Sequence, residues 1–296
     1  MKHQTSETFN REEILAAWSR ESNVVGAFRA FRSHDIEPIL IKGWSVARFY
    51  PNSRERFFVD VDFCVQVKDY KKAQNLIEEL ARRGIRVDLH LELRKLDQVS
   101  FENLFENSQL VTLHDEKIRV LRPEDNLRVV CVHWLNDGGA NKEKLRDIFY
   151  LVENRPDDFD WDRFLNVVNI KRRRWILCAI ALTHKLLDLN VDETPIADEI
   201  KNPDFLPKWL MPTLEKEWND KTRLLPLYDS LTSSRKLFQQ IRKRFPPNAL
   251  TASIKVGAPF DNSPRLPYQI ADVIRRIIFN VPKNITRFFD PNDKNF

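Results

Sequence analysis

Two stretches of strict apolar–polar alternation, joined by a stretch of helical period, constrain this chain more than any other feature. From Phe58 to Lys68, Val59, Val61, Phe63, Val65 and Val67 fall on one face, and Asp60, Asp62, Cys64, Gln66 and Lys68 on the other. From Val87 to Arg94 the pattern repeats, with Val87, Leu89, Leu91 and Leu93 on one face and Asp88, His90, Glu92 and Arg94 opposite. Period two belongs to strands, so each run is expected to be a strand with one apolar and one polar face. Between them Ala73, Leu76, Ile77, Leu80 and Ala81 recur at helical spacing over Tyr70–Arg83, and Gly84 stands where a helix commonly stops.

The polar faces carry the chemistry. Asp is depleted from strands, yet the first run offers Asp60 and Asp62, and the second repeats the pattern with Asp88 and Glu92. If the strands are neighbours in register, side chains on the shared face lie about 5 to 8 Å apart. Close carboxylates repel unless a cation sits among them. An oxygen-rich site with open water positions suits Mg²⁺, and such a site is the layout for metal-assisted phosphoryl or nucleotidyl transfer. His90 shares that face, to tune Asp88, to contact substrate or to make a structural hydrogen bond.

Upstream, Pro38 precedes a short β run, Ile39–Ile41, that stops at Lys42-Gly43. A helical pattern then runs from Trp44 to Tyr50 and is broken by Pro51. A strand-to-helix turn offers backbone N–H groups to phosphate, with Lys42 in reach, though it is also an ordinary turn. Arg54 and Arg56 stand before Asp60, either as bidentate phosphate clamps or as a solvated loop. The chain has only six glycines, so neither a P-loop nor a dinucleotide fingerprint can be written.

Elsewhere Ile14, Leu15, Trp18, Val25, Phe28 and Phe31 predict a leading helix from Arg11 to about Arg32, capped by Asn10. Trp18, Trp161 and Trp209 are expected in cores. Residues 109–121 read as a hairpin turning at His114–Lys117. Arg122-Pro123-Glu124-Asp125 opens a helical region that continues to about Leu189, and after Pro207 frequent prolines leave room mostly for short helices. Within the helical region His133 reads as a core or boundary histidine, with Asp147 a conceivable partner. Lys171–Arg174, beside Trp175, reads as a solvated face or a nucleic-acid contact.

Cys64, Cys131 and Cys178 are far apart, without a Cys-x-x-Cys pair, and predict reduced thiols in the cytoplasm. No leader or transmembrane segment is expected. The net charge of +5 is uneven: residues 235–296 carry twelve Lys or Arg against four Asp or Glu, hence +8, and the rest carries −3. That basic segment is expected to suit an anionic partner. Its run Ile270–Ile278, with Arg275 and Arg276 among apolar residues, reads as a packed amphipathic helix or as a helix lying on a membrane.

The sequence also resembles a family. Ile41-Lys42-Gly43, Tyr50-Pro51, Arg56 four residues before Asp60-Val61-Asp62, a helix ending in Gly84, and Val87-Asp88-Leu89-His90 occur in the order and spacing of the uncharacterised nucleotidyltransferase family of the polymerase-β superfamily. The resemblance continues through Leu121–Leu127, His133, Leu145–Leu151 with Asp147, and Asp160-Trp161, covering roughly residues 10–215. It departs at Trp44, where the superfamily reads Gly-Ser or Gly-Gly and this chain has Ser45 one place later, and at Val59 and Leu91. The resemblance implies an α/β (α+β) fold, a mixed sheet flanked by helices. The expected division is a nucleotidyltransferase-like domain over 1–121, a helical domain over 122–215 and a basic, proline-interrupted helical extension over 216–296. Asp60, Asp62 and Asp88 match the metal-binding and catalytic carboxylates, with Lys42, Gly43, Ser45 and Arg56 as nucleotide contacts and His90 as a substrate contact. The implied activity moves a nucleoside monophosphate from an NTP to a hydroxyl acceptor with Mg²⁺ or Mn²⁺. The acceptor class stays open between protein, nucleic acid and small molecule. The alternative is a binding module of the same fold, weak or inactive in turnover, that acts through a protein partner.

Overall fold

The computed structural model describes residues 11–93, 95–220, 222, 225 and 233–288, with side chains through residue 278. Asn10, expected as a helix cap, and Arg94 lie outside the described residues, as does the polar N-terminal stretch. The chain divides into two compact units that are discontinuous in sequence. The first comprises the chain up to Val132 with Arg146–Asn169 and Leu187–Asn190, and the second comprises His133–Leu145, Ile170–Leu186 and everything from Val191.

In chain order the elements begin with α1 (Arg11–Arg32), β1 (Ile39–Leu40), α2 (Gly43–Ala47), β2 (Val61–Val65), α3 (Val67–Arg82) and β3 (Val87–Leu91). They continue with α4 (Phe101–Glu106), β4 (Gln109–Leu113), β5 (Glu116–Val120), α5 (Pro123–Asn136), α6 (Leu145–Glu153) and α7 (Trp161–Asn166). The five strands form one mixed sheet in the order β3-β2-β1-β5-β4. β2 runs parallel to β3 and β1 parallel to β5, whereas β1–β2 and β4–β5 are antiparallel. This is the mixed sheet flanked by helices that the family resemblance implies.

Parallel neighbours cannot be joined by a tight turn, and α3 supplies the crossover from β2 to β3. It buries Ala73, Leu76 and Leu80, and it ends as the sequence requires. Gly84 takes φ 80°, the N–H of Ile85 donates to Leu80 O at 2.9 Å, and the N–H of Gly84 donates to Ala81 O at 3.0 Å, closing a Schellman cap. From α1, Phe28 and Phe31 pack edge-on against Phe63 of β2 at 4.8 and 4.9 Å, all three rings fully buried. Each such side chain contributes about 1.5–3 kcal/mol by leaving water.

Several sequence expectations are corrected here. Trp18 is 61% exposed rather than in a core, and its ring stacks on His114 at 6.1 Å, because the core is built by the C-terminal half of α1. Trp161 and Trp209 are half-buried. The hairpin turns over His114-Asp115 alone, with His114 at φ 53° and Leu113 paired to Glu116. Glu116 and Lys117, which read as turn residues, belong to β5: Arg29 and Arg32 of α1 hold Glu116, and Lys117 donates to Thr112 across the strands at 2.8 Å. The strand β3 stops at Leu91, since Glu92 and Leu93 take φ 49° and 46°; this swings Leu93 into the core and Glu92 off the strand face.

The second unit is helical, with α8 (Ile170–Leu187) running on from the first unit's Asn169, followed by α9 (Ala197–Lys201), α10 (Leu210–Asn219), α11 (Ser234–Arg244), α12 (Ala249–Lys255) and α13 (Leu266–Phe288). The basic start of α8 is tied down within this unit: Lys171 donates to Gly257 O, Arg173 pairs with Glu199, and Arg174 lies over the Phe205 ring. No described helix is long and apolar enough to cross a membrane.

Candidate functional site

The in-register pairing of β2 with β3 sets Asp62 beside Asp88 and Cys64 beside His90. Side chains two apart share a strand face, so Asp62, Asp88 and His90 converge. His90 Nε2 lies 3.2 Å from Asp88 Oδ2 and 3.4 Å from Asp62 Oδ1. One ligand atom from each of the three falls within 4.8 Å of the others, and among the described residues no other trio of His, Cys, Asp or Glu does so.

Lys42 closes this cluster. Its Nζ lies 2.5 Å from Asp62 Oδ1 and 3.2 Å from His90 Nε2, and its side chain is almost wholly buried. The antiparallel step from β1 to β2, in which Ile41 N–H donates to Asp62 O at 2.9 Å, delivers Lys42 there. The chain then turns sharply, with Lys42 at φ 53° and Gly43 at φ 41°. A lysine in the left-handed region costs about 1–3 kcal/mol, which the ion pair offsets.

The electrostatics follow from this packing. Burial disfavours a charged imidazole at His90, yet the carboxylates of Asp62 and Asp88 outweigh it and raise His90 above the ordinary imidazole range. The hydrogen bond from His90, partly opposed by burial, holds the Asp88 carboxyl down at about 2. Asp88 remains the open member of the group, its side chain 56% exposed.

The other sequence candidates are placed differently. Asp60 is exposed, immediately before β2 and two residues from Asp62, outside the three-residue cluster. Gly43 lies over its carbonyl: a Cβ at 43 would come 3.7 Å from Asp60 O and 3.6 Å from the Phe58 ring. Ser45 is fully buried, and Asn126 Nδ2 donates to its Oγ at 3.1 Å and its carbonyl at 3.2 Å. Arg56 does form a bidentate fork, but on a carboxylate of the fold: Nε and Nη2 each donate to Asp147 at 2.8 Å. Tyr50 O–H donates to the same carboxylate at 2.6 Å, and burial pushes its phenol well above the ordinary range. His133 pairs with Asp137 at 3.5 Å. The structure thus gathers Lys42, Asp62, Asp88 and His90, with Gly43 and Asp60 alongside, and keeps Ser45 and Arg56 inside the fold's own hydrogen bonding. The Lys42–Asp62 pair left no sequence signal beyond its two ends, because it depends on how β1 and β2 are registered.

The donors fit a divalent cation. Two carboxylates and an imidazole converge, solvent reaches Asp88, and the Lys42 ammonium shows that the spot holds positive charge.

No curated protein matches the chain. A crystal structure of an antigenic nucleotidyltransferase-like protein from Paracoccidioides brasiliensis is similar at 17% identity and a TM-score of 0.42, covering 57% of this chain and 89% of that one. A family model described as uncharacterised nucleotidyltransferase matches residues 19–188, narrower than the 10–215 over which the sequence resemblance runs, and includes every residue of the site. The chain belongs to the uncharacterised nucleotidyltransferase family.

Proposed function

We propose that this protein is a divalent-metal-dependent nucleotidyltransferase that moves a nucleoside monophosphate from an NTP to a hydroxyl acceptor. The observation that carries this reading is the convergence of Asp62, Asp88 and His90 within 4.8 Å on adjacent parallel strands. Asp62, Asp88 and His90, with Asp60 at the mouth of β2, would hold Mg²⁺ or Mn²⁺, which when bound neutralises phosphate charge. In the transfer, the acceptor hydroxyl oxygen forms a bond to the α-phosphorus, the bond from that phosphorus to the leaving pyrophosphate breaks, and the hydroxyl proton passes to solvent water. Asp88, ionised and exposed, accepts a hydrogen bond from the incoming hydroxyl and orients it. With a cation held at Asp62, the Lys42 ammonium would be available to phosphate oxygens beside Gly43.

A second reading is a module of this fold that binds a protein partner with little turnover. It is favoured by Ser45 and Arg56, two expected nucleotide contacts that are engaged by Asn126 and Asp147.

The test is a thermal-shift panel of the four NTPs with and without Mg²⁺ or Mn²⁺, on wild type and Asp62→Asn, followed by acceptor screening with labelled NTP. Ligand at about 100 times its Kd adds about 2.7 kcal/mol, a readily visible shift. A metal-dependent shift lost in the variant supports the transferase. No shift with any nucleotide favours the partner-binding module.

A further inference from the structure

The helix α13 stands the wrong way round for a surface helix. Leu266, Ile270, Ile274, Ile277 and Ile278 are 58, 48, 51, 55 and 59% exposed. Their spacing puts them along one side of the helix. The opposite side faces the second unit, where α13 packs on α12. There Asp272 is fully buried and pairs with Arg275 at 2.8 Å and with Arg276, and Gln269 donates to Pro247 O at 2.6 Å. The packed amphipathic helix expected from sequence therefore turns its polar side inward and its isoleucines to water. Fixed by that buried ion cluster, the apolar side cannot turn inward without leaving Asp272 unpaired.

Exposed aliphatic stripes of this length mark a binding surface. Charge selects the occupant. The segment 235–296 carries +8 while the rest of the chain carries −3, and Arg275 and Arg276, sharing the single Asp272 carboxylate, leave net positive charge beside the stripe with more than a third of each side chain in solvent. A second copy docked stripe to stripe would bring two strongly positive segments together. An anionic bilayer surface accepts both properties at once: aliphatic side chains enter the headgroup–acyl boundary and the cations stay among the lipid phosphates. We propose that α13 lies on an anionic membrane surface through Leu266, Ile270, Ile274, Ile277 and Ile278. It rests on that surface without crossing it, since no described helix is long and apolar enough to span. This inference is independent of the nucleotidyl chemistry proposed above.

The experiment is vesicle flotation of the full chain with phosphatidylcholine alone and with phosphatidylcholine mixed with phosphatidylglycerol, at low and high salt. Wild type is expected to float with the mixed vesicles, weakly with phosphatidylcholine alone, and less at high salt. The variant Ile270→Ser/Ile274→Ser/Ile277→Ser is expected to bind at least about tenfold more weakly, since each side chain loses its apolar transfer. A second variant, Ile277→Cys carrying an environment-sensitive dye, reads the stripe without removing it: the native thiols are buried, and the dye emission is expected to shift to the blue on mixed vesicles. Wild type that stays unbound, equal binding by the triple variant, or an unshifted dye would each overturn the proposal. So would a wild-type dimer in sedimentation velocity that the triple variant breaks, which assigns the stripe to a second copy.

Discussion

Lys42 Nζ sits 2.5 Å from Asp62 Oδ1, so a lysine ammonium holds the place among the carboxylates that a metal ion would take. A metal ion bound there would compete with the ammonium for that oxygen. In metal-free protein, Lys42→Gln strips the counter-ion from a carboxylate whose side chain is only 14% exposed, and stability is expected to fall by about 2 kcal/mol, below the 3–5 of a fully buried pair because solvent still reaches the group. Lys42→Gly loses the same ion pair but relieves the left-handed backbone, so it is expected to be about 1 kcal/mol less destabilised than Lys42→Gln. Saturating Mg²⁺ then narrows the gap between Lys42→Gln and wild type, because the ion replaces the ammonium. Urea unfolding with and without Mg²⁺ measures all three, and a gap that ignores the metal would remove Asp62 from the metal site.

His90 reports on both carboxylates. Its raised pKa comes from Asp62 and Asp88 outweighing burial, so the imidazole in metal-free protein stays protonated above the pH where a free histidine has lost its charge. The sign is fixed: Asp62→Asn or Asp88→Asn removes an anion beside the imidazolium and lowers the His90 pKa. The linked stability, present below the unfolded-state value of about 6.5, is lost as pH rises through the folded value. Asp88 contributes in the opposite sense, its stabilisation vanishing as pH falls toward about 2, and its exposure limits this to about 1 kcal/mol or less. Imidazole NMR titration of wild type and the two Asn variants checks the direction. A His90 pKa that does not move in either variant contradicts the geometry.

Outside the Asp62–Asp88–His90 group, Arg128 is fully buried and donates to Asp97 and Asp125, while Arg163 takes the other oxygen of Asp125 at 2.8 Å. Arg128→Met leaves Asp97 buried without its cation, and is expected to cost about 3–5 kcal/mol. Adding Asp97→Asn removes the bare charge and is expected to recover part of that loss. If the double variant is no more stable than Arg128→Met in denaturant unfolding, the cost lies in packing instead of charge.

How much of this was legible in sequence depends on what each signal encodes. Gly84 announced the end of α3 because a Schellman cap needs a local positive φ, and local backbone demands are written locally. The alternation around Asp62 and Asp88 marks the strands and their shared face, but alternation does not say where ladder pairing stops, so it extends the strands over Asp60 and Glu92, which the structure sets outside. Helical period assigned Trp18 to a face without saying what that face meets. Ser45 and Arg56 have the right chemistry for phosphate, yet Asn126 and Asp147, 81 and 91 residues away in sequence, engage them first. The inverted placement of α13 was hidden for the same reason: composition shows an amphipathic helix, and only the buried Asp272 cluster decides which side turns inward.

The three cysteines supply a test of the core that owes nothing to nucleotide chemistry. Cys64, Cys131 and Cys178 are fully buried, and burial pushes the thiols of Cys64 and Cys178 up to about 12 and raises Cys131 as well. The thiolate is the nucleophile, so at pH 8 the native protein is expected to be inert to a thiol reagent such as DTNB, and three thiols are expected to react in guanidinium. The linkage has one sign. An unfolded thiol ionises near 8.5 while the folded one stays neutral, so the unfolded state binds fewer protons and stability falls as pH rises from about 8.5 toward the folded value, with a limiting slope of about 1.4 kcal/mol per pH unit per thiol. Lysines and tyrosines titrate in the same range, and the comparison with Cys64→Ala/Cys178→Ala separates them. Between about pH 9 and 11 the wild type is expected to lose stability more steeply than the double variant. Parallel pH profiles would mean that Cys64 and Cys178 are reachable by water in the native state, and that the sheet beneath Asp62 and the core helix α8 are looser than their packing implies.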